Sequence, residues 1–368
     1  MSIHYFYIDD DPESQKKVEG FKNEELSIDA MQHKDSWELQ LEFLKERENE
    51  YDGLILDLKL DDLPNNNDIR AKFRGTSLAQ EIRTRQKEGI LKSFPIILFS
   101  ANDKTQQALE KSGTDLFDIL IDKSKLDDIA FPIYTRQLIE LSKGYKYLCE
   151  SSLTTAEIFQ TDDSFIDTRF VSEFNELRKA PVHIQSKFLI TEFLTRQGLL
   201  IDEDVLAARL GINKEISTDW NMLLTVLSEI KYNGVFSNGW SRWWTHLAEN
   251  WWNKSVKSES ILRSTPARER VEMIKKATGL QHLIAAEKIN KADSDEFWTL
   301  CKGCHLPLDP VDGLIVQGQD NLYPWQEPKY VSIDAALKRT HLDDWKGVAT
   351  SEIMYLDKLK QKYSKHRE

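Results

Sequence analysis

The sequence predicts an α/β doubly wound, five-stranded parallel sheet followed by a mostly α-helical domain. Two observations carry this. Over about residues 3–142, short apolar runs alternate with amphipathic stretches of helical period, the pattern of parallel strands joined by crossover helices. After about residue 142 the strand pattern disappears and helical stretches follow one another.

Taken in order, the strands are expected at about 3–9, 26–31, 52–58, 94–100 and 116–121. Helices are expected at about 12–21, 35–48, 75–87, 104–112 and from about 126 to 142. Asp11 before Pro12 has the form of a helix N-cap followed by proline at the first helical position. Ligands of such sheets bind beyond the carboxyl ends of the strands. That is where Asp9, Asp10, Asp57, Ser100 and Lys123 fall. Carboxylates converging there repel one another unless a cation or a proton neutralises them, so the pattern implies a metal ion.

These residues together resemble the receiver domain of bacterial response regulators, a flavodoxin-like (CheY-like) fold, over about residues 3–142. The resemblance rests on Tyr7-Ile8-Asp9-Asp10-Asp11-Pro12, on Tyr51-Asp52-Gly53-Leu54-Ile55-Leu56-Asp57, on the pair Ser100-Ala101 and on the late Lys123, in that order. It implies a two-component phosphorelay, with phosphoryl transfer from a histidine kinase or phosphotransfer protein to Asp57. It also implies Mg²⁺ held by Asp9, Asp10, Asp57 and the backbone carbonyl of Lys59, with Lys123 and Ser100 steadying the phosphoryl oxygens. A carboxylate is a weak nucleophile, so such a site works by positioning and charge neutralisation.

Three features depart from that pattern. Asp61 stands where the family usually has proline, and residues 61–74 form a polar, asparagine-rich insertion, read as a flexible lid or a partner contact. Leu120 replaces the expected switch aromatic, although Phe117 is near, and Ser124 follows the lysine in place of proline. The active-site set is retained while the signalling apparatus is altered.

For the rest of the chain, helices are expected at about 166–178, 184–197, 202–210, 217–231, 239–253, 265–278, 280–290, 332–340 and 349–363. The domain reading is 1–142 for the receiver, 143–298 for a helical effector or adaptor, and 299–368 for a loop-rich knuckle with C-terminal helices. Asp204–Ile212 resembles the start of a helix-turn-helix, which makes a DNA-binding regulator using 204–231 the alternative. The segment that follows, residues 213–224, is acidic and apolar, whereas a recognition helix offers Arg, Lys, Gln or Asn to base edges and phosphates.

Six of the ten tryptophans lie at Trp220, Trp240, Trp243, Trp244, Trp251 and Trp252 and are read mainly as core, with part available as an interface. Cys301-Lys302-Gly303-Cys304-His305 matches c-type haem attachment as a string, a chemistry that belongs outside the cytoplasm. A Zn²⁺ site at Cys301, Cys304 and His305 lacks a fourth ligand, for which Cys149 is distant and His282 and His341 have no support. A structural turn and a redox pair complete the readings of this motif.

The totals agree with two jobs. The formal charge is −12, and residues 1–130 hold 28 acidic against 18 basic residues, whereas the remainder holds 33 against 31. An acidic balance argues against broad nucleic-acid binding. No export signal or apolar span is evident and three cysteines make no disulfide framework, so a cytoplasmic protein without membrane insertion is expected. No independent catalytic motif is found after residue 142. The expectation is therefore a regulated binding protein with a downstream protein partner, and not a metabolic enzyme.

Overall fold

A computed structural model describes residues 2–101, 114–150, 152–256 and 260–364. The chain divides into two compact units, Met1–Thr191 with Asn233–Trp240, and Glu192–Tyr232 with Ser241–Glu368.

The first unit holds an all-parallel sheet of β1 (Ile3–Ile8), β2 (Leu26–Met31), β3 (Gly53–Leu56), β4 (Ile96–Ser100) and β5 (Ile119–Asp122). Its order is β2-β1-β3-β4-β5, the doubly wound arrangement expected of the sequence. Strands β3 and β4 are buried at every position, as strands covered on both faces must be. Helix α1 (Pro12–Gln15) is capped by the Asp11 side chain, which accepts from Glu13 N, and continues as a 3₁₀ stretch to Phe21. Helices α2 (Trp37–Glu46) and α3 (Gly75–Lys87) follow β2 and β3. Leu44, Leu54, Leu78 and Ile82 belong to a core cluster that also includes Phe73 and Ala71. The helix expected at 104–112 lies outside the described residues.

The helix after β5 runs Ala130–Leu148, so the expected domain boundary at 142 falls within it. Three more helices of this unit, Thr155–Phe159, Thr168–Leu177 and Val182–Phe188, follow. Phe159, Phe170 and Phe174 meet at ring separations of 5.1–6.3 Å and pin the first two together. Residues 233–240 return to this unit, where Val235 N donates to Ile158 O and the Phe236 ring lies against Gly144.

Helices are the main regular structure of the second unit, and Glu203–Arg209, Trp220–Val226, Thr245–Trp251, Ala267–Thr278, Ile333–Lys338 and Ile353–Ser364 match expected helices. Two expectations are corrected. Residues 280–290 form no helix, because Gly279 ends the preceding one in the left-handed conformation. Asp219 and the Ser217 hydroxyl then take the amides of His282 and Ile284, and the segment bridges to Ile212 through Ala285. The stretch 239–253 is helical only from Thr245, since Trp243–Trp244 pairs antiparallel with Leu200–Ile201. Five of the six clustered tryptophans are buried, and Trp251 packs half-buried against the cluster that contains Trp220, Trp243 and Trp252. Two further short ribbons, Thr299–Leu300 with Pro307–Leu308 and Gly313–Ile315 with Tyr330–Ser332, occupy the loop-rich stretch. No helix among the described residues is long and apolar enough to cross a membrane.

Candidate functional site

The parallel register places the ends of β1, β3, β4 and β5 side by side. Asp9 and Asp10 follow β1, Asp57 follows β3, Ser100 ends β4 and Lys123 follows β5. All five line one cleft of about 390 Å³, together with Lys59, Asp62, Leu63 and Ala101. Backbone bonds fix the ends: Asp57 N donates to Ile8 O at 3.0 Å and Lys123 N to Ser100 O at 2.9 Å. The sequence-predicted residues are thus brought together as expected.

Lys123 Nζ lies 2.6 Å from Asp9 Oδ2 and 2.5 Å from Asp57 Oδ1, and its side chain is almost fully buried. Asp9 Oδ1 accepts from Asp11 N, and the Tyr7 hydroxyl donates to Asp9 Oδ2. Asp57 Oδ2 accepts from Lys59 N at 2.7 Å, and Asp10 Oδ2 from Leu63 N at 2.6 Å. Burial pushes the Asp57 carboxyl up to about 6, with Asp9 adding to the rise and Lys123 opposing it. Burial likewise raises Asp10, and the Leu63 N–H pulls the other way. Three carboxylates face one ammonium, which leaves two negative charges in a confined, low-dielectric cleft.

Carboxylate oxygens are the donor type that a hard divalent cation such as Mg²⁺ takes, alongside several waters. In the arrangement described, Lys123 holds Asp9 and Asp57, and Leu63 holds Asp10. Among the described residues no group of three His, Cys, Asp or Glu is gathered so that it could hold a metal. Metal binding would therefore compete with Lys123 for the carboxylates.

Three contributors escape a reading by residue type. Tyr7 lies two residues before Asp9 on the same strand face, and a buried tyrosine hydroxyl needs a partner, so spacing alone could have flagged it. Gly75 opens α3 with its Cα against the chain of Asp57, where a Cβ would stand 2.0 Å from the Asp57 carbonyl oxygen. Leu63 acts through its backbone, which carries no signature of side-chain type.

The insertion at 61–74 is folded. Arg74 Nε lies 3.6 Å from Asp61 Oδ2 at its base, and Pro64 bridges Arg70. Asn65 Nδ2 donates to Asp35 Oδ1 at 2.7 Å, and Asn66 N to Gln32 Oε1 at 2.8 Å. Phe73 and Ala71 anchor its return in the core. Leu120 packs half-buried against that core, Phe117 is buried, and the Phe99 ring lies 5.0 Å from Lys123 Nζ. Ser124 turns back onto Asp122 Oδ1.

The other candidate motifs differ. Zinc at Cys301, Cys304 and His305 is not supported, since no three-ligand group forms among the described residues and His305 Nε2 faces Asp344 Oδ2 at 3.3 Å. In the helix-turn-helix candidate, ten residues separate Glu203–Arg209 from Trp220–Val226, far more than the short turn of such motifs. The exposed face of the second helix presents Asn221, Met222, Thr225 and Val226, with no basic side chain for phosphate.

Sheet order and the cleft at its carboxyl end define a doubly wound, flavodoxin-like fold for the first part of the chain. The chain is similar in part to several solved structures. A response regulator receiver domain (CheY-like) from Methylobacillus flagellatus is 20% identical, with 36% of this chain and 97% of that one covered, at a TM-score of 0.27. The receiver domain of the histidine kinase CKI1 from Arabidopsis thaliana, complexed with Mg²⁺ and BeF₃⁻, is 20% identical over 39% of this chain and 90% of that one, at 0.25. The Legionella pneumophila response regulator LqsR is 14% identical over 62% of this chain and 76% of that one, at 0.29. No family model and no curated protein matches the chain.

Proposed function

We propose that this chain is a response regulator whose receiver domain accepts a phosphoryl group on Asp57 in a Mg²⁺-dependent step. The observation that carries the reading is the single buried ammonium of Lys123 set between Asp9 and Asp57, with Asp10 in the same cleft. Asp57 is the carboxylate with an open approach, being the least buried of the three acids.

The donor is a phosphohistidine of a histidine kinase or phosphotransfer protein. One Asp57 carboxylate oxygen forms the bond to phosphorus as the bond from phosphorus to the donor nitrogen breaks, and the imidazole leaves with a proton. Lys123 moves from the Asp57 carboxylate to the transferred group, whose negative charge now competes for it. Ser100, at the end of β4 in the same cleft, supplies a hydroxyl to the phosphoryl oxygens. Asp9, Asp10, Asp57 and the Lys59 carbonyl would hold Mg²⁺, which when bound neutralises the phosphoryl oxygens during transfer. Tyr7 and Asp11 N–H keep the Asp9 carboxylate oriented.

The output is protein–protein interaction through the part of the chain beyond the sheet. The near-neutral charge of residues 131–368 and the absence of basic side chains on the exposed face of Trp220–Val226 support this over DNA binding. The test is direct. The full chain is incubated with Mg²⁺ and a small phosphodonor and its intact mass recorded. One phosphoryl group is expected in the wild type and none in Asp57→Asn or in chelator. Equal mass gain in wild type and Asp57→Asn would remove the proposal.

A further inference from the structure

Cys301 and Cys304 take no part in the cleft. They sit in the turn joining Thr299–Leu300 to Pro307–Leu308, in the second unit. The turn is closed by Cys301 N donating to Leu306 O at 2.9 Å and His305 N to Cys301 O at 2.8 Å, with His305 left-handed at φ +59°. Gly303 is required there, since a Cβ would stand 2.7 Å from the Ala335 side chain and 3.0 Å from Thr340 O.

The Cys301 sulfur is fully buried and ringed by donors. Gly303 N lies 3.3 Å away, Cys304 N 3.4 Å and Ser332 N 3.1 Å, and the Cys301 thiol itself donates to the Ser332 hydroxyl at 3.3 Å. Three N–H groups aimed at one sulfur ease its ionisation during exchange. The hydrogen bond with the Cys304 thiol is the largest cause that pulls Cys301 below the ordinary thiol range. The same bond holds Cys304 well above the ordinary thiol range. Cys304 is half-buried, so the neighbour of the buried Cys301 is reachable from solvent. Among the described residues no third ligand joins them to make a metal site.

We propose that Cys301 and Cys304 form a thiol–disulfide exchange pair that reacts with low-molecular-weight disulfides. The more accessible Cys304 thiol attacks one sulfur of the incoming disulfide, its proton passing to the first small thiol as that group leaves. Cys301 then attacks the Cys304 sulfur of the mixed disulfide and expels the second. Two cysteine thiols become one disulfide, and the oxidant leaves as two thiols carrying both electrons and both protons. A disulfide sulfur accepts hydrogen bonds poorly, so Ser332 loses the partner of its N–H. Ser332 is also the N-cap of Ile333–Lys338, its hydroxyl accepting from Ala335 N at 3.2 Å. Oxidation is thereby coupled to the start of that helix.

The full chain is equilibrated with stepped ratios of reduced to oxidised glutathione, quenched, alkylated and mapped by mass. The expected result is a joint loss of alkylation at Cys301 and Cys304 with a mass lower by two hydrogens, reversed by dithiothreitol, while Cys149 behaves independently. Cys301→Ser should stop at a glutathione adduct on Cys304. A wild-type protein that retains alkylatable Cys301 and Cys304 at the most oxidising ratio would overturn the proposal. So would one that accumulates the Cys304 adduct with Cys301 still free. Because the wild type is read directly, a variant that fails to fold does not decide the matter.

Discussion

The backbone N–H of Leu63, within the inserted loop, donates to Asp10 Oδ2 at 2.6 Å. An element foreign to the usual receiver pattern thus holds a carboxylate assigned to the metal. Asparagine at position 10 would keep an oxygen for that N–H and remove one of three crowded charges. Asp10→Asn is therefore expected to stabilise the metal-free protein by about 1–2 kcal/mol, since a buried like-charge repulsion is relieved. The same change should abolish Mg²⁺-dependent phosphorylation. Urea denaturation in chelator and the mass assay measure the two effects, and a destabilised variant would show that repulsion at the cleft is negligible.

Lys123 is the cation on which Asp9 and Asp57 both depend. Lys123→Met leaves those buried carboxylates facing each other, and stability should fall by about 3–5 kcal/mol. Mg²⁺ can replace part of the missing charge. Addition of Mg²⁺ should then raise the melting temperature of the variant more than that of the wild type. Equal shifts in both proteins would count against a metal at this cleft.

At Gly75 two effects oppose each other. Alanine is the better helix former by up to about 1 kcal/mol. Its Cβ, however, would stand 2.0 Å from the Asp57 carbonyl oxygen, and backbone cannot rotate away as a side chain can. Overpacking of this kind costs about 1–3 kcal/mol, so Gly75→Ala is expected to destabilise and to slow phosphorylation by shifting Asp57. A variant as stable as the wild type with unchanged phosphorylation would show that α3 moves freely against β3.

Four of the five strands were legible because each is a short apolar run that stops on a chemically distinct residue, whereas β2, Leu26–Met31, carries Ser27 and Asp29 and ends on Met31. Asp9, Asp57, Ser100 and Lys123 marked the carboxyl end before any coordinate was known. What escaped was carried by backbone or by distant partners. Leu63 contributes an N–H, and the Cys301 sulfur is completed by Ser332, 31 residues away. The failure at 280–290 has the same origin, since helical periodicity there was overruled by Asp219 and Ser217 capturing amides from more than 60 residues away. The tryptophan run was correctly read as core but assigned the wrong period, because two of its members form a strand.

Acid should act on the first unit through His183. Burial, then the nearby Arg83 guanidinium, pull this imidazole from 6.5 to about 4, with Asp118 and Asp115 opposing. The unfolded chain therefore binds the proton more readily than the folded one. The stability held by the neutral imidazole is present above pH 6.5 and is lost as pH falls from there towards about 4. Carboxylates also titrate in this range, so the difference between wild type and His183→Gln isolates the effect. Denaturation curves from pH 7.5 to 4 should converge for the two proteins as pH falls, and parallel curves would exclude it.

Asp118 ties the sheet to the helices that follow it. Its Oδ2 accepts from Arg83 Nη2 at 2.8 Å and from Ile96 N at 2.9 Å, and its Oδ1 from the Tyr145 hydroxyl at 2.6 Å and Ser186 Oγ at 3.1 Å. The partners differ in what their loss leaves behind. Arg83→Met strands a buried carboxylate and should cost about 3–5 kcal/mol. Tyr145→Phe removes one charge-assisted hydrogen bond, for about 1.5–3 kcal/mol, and Ser186→Ala should cost least because its bond is the longest of the side-chain set. Tyr145 and Ser186 both lie beyond residue 142, so their contribution measures how far the first domain extends past its sheet. If Tyr145→Phe and Ser186→Ala leave the urea midpoint unchanged while Arg83→Met lowers it, the following helices add nothing to the sheet through this carboxylate. The order Arg83, Tyr145, Ser186 is expected instead, because the charge itself is satisfied first by the guanidinium and only then by the hydroxyls.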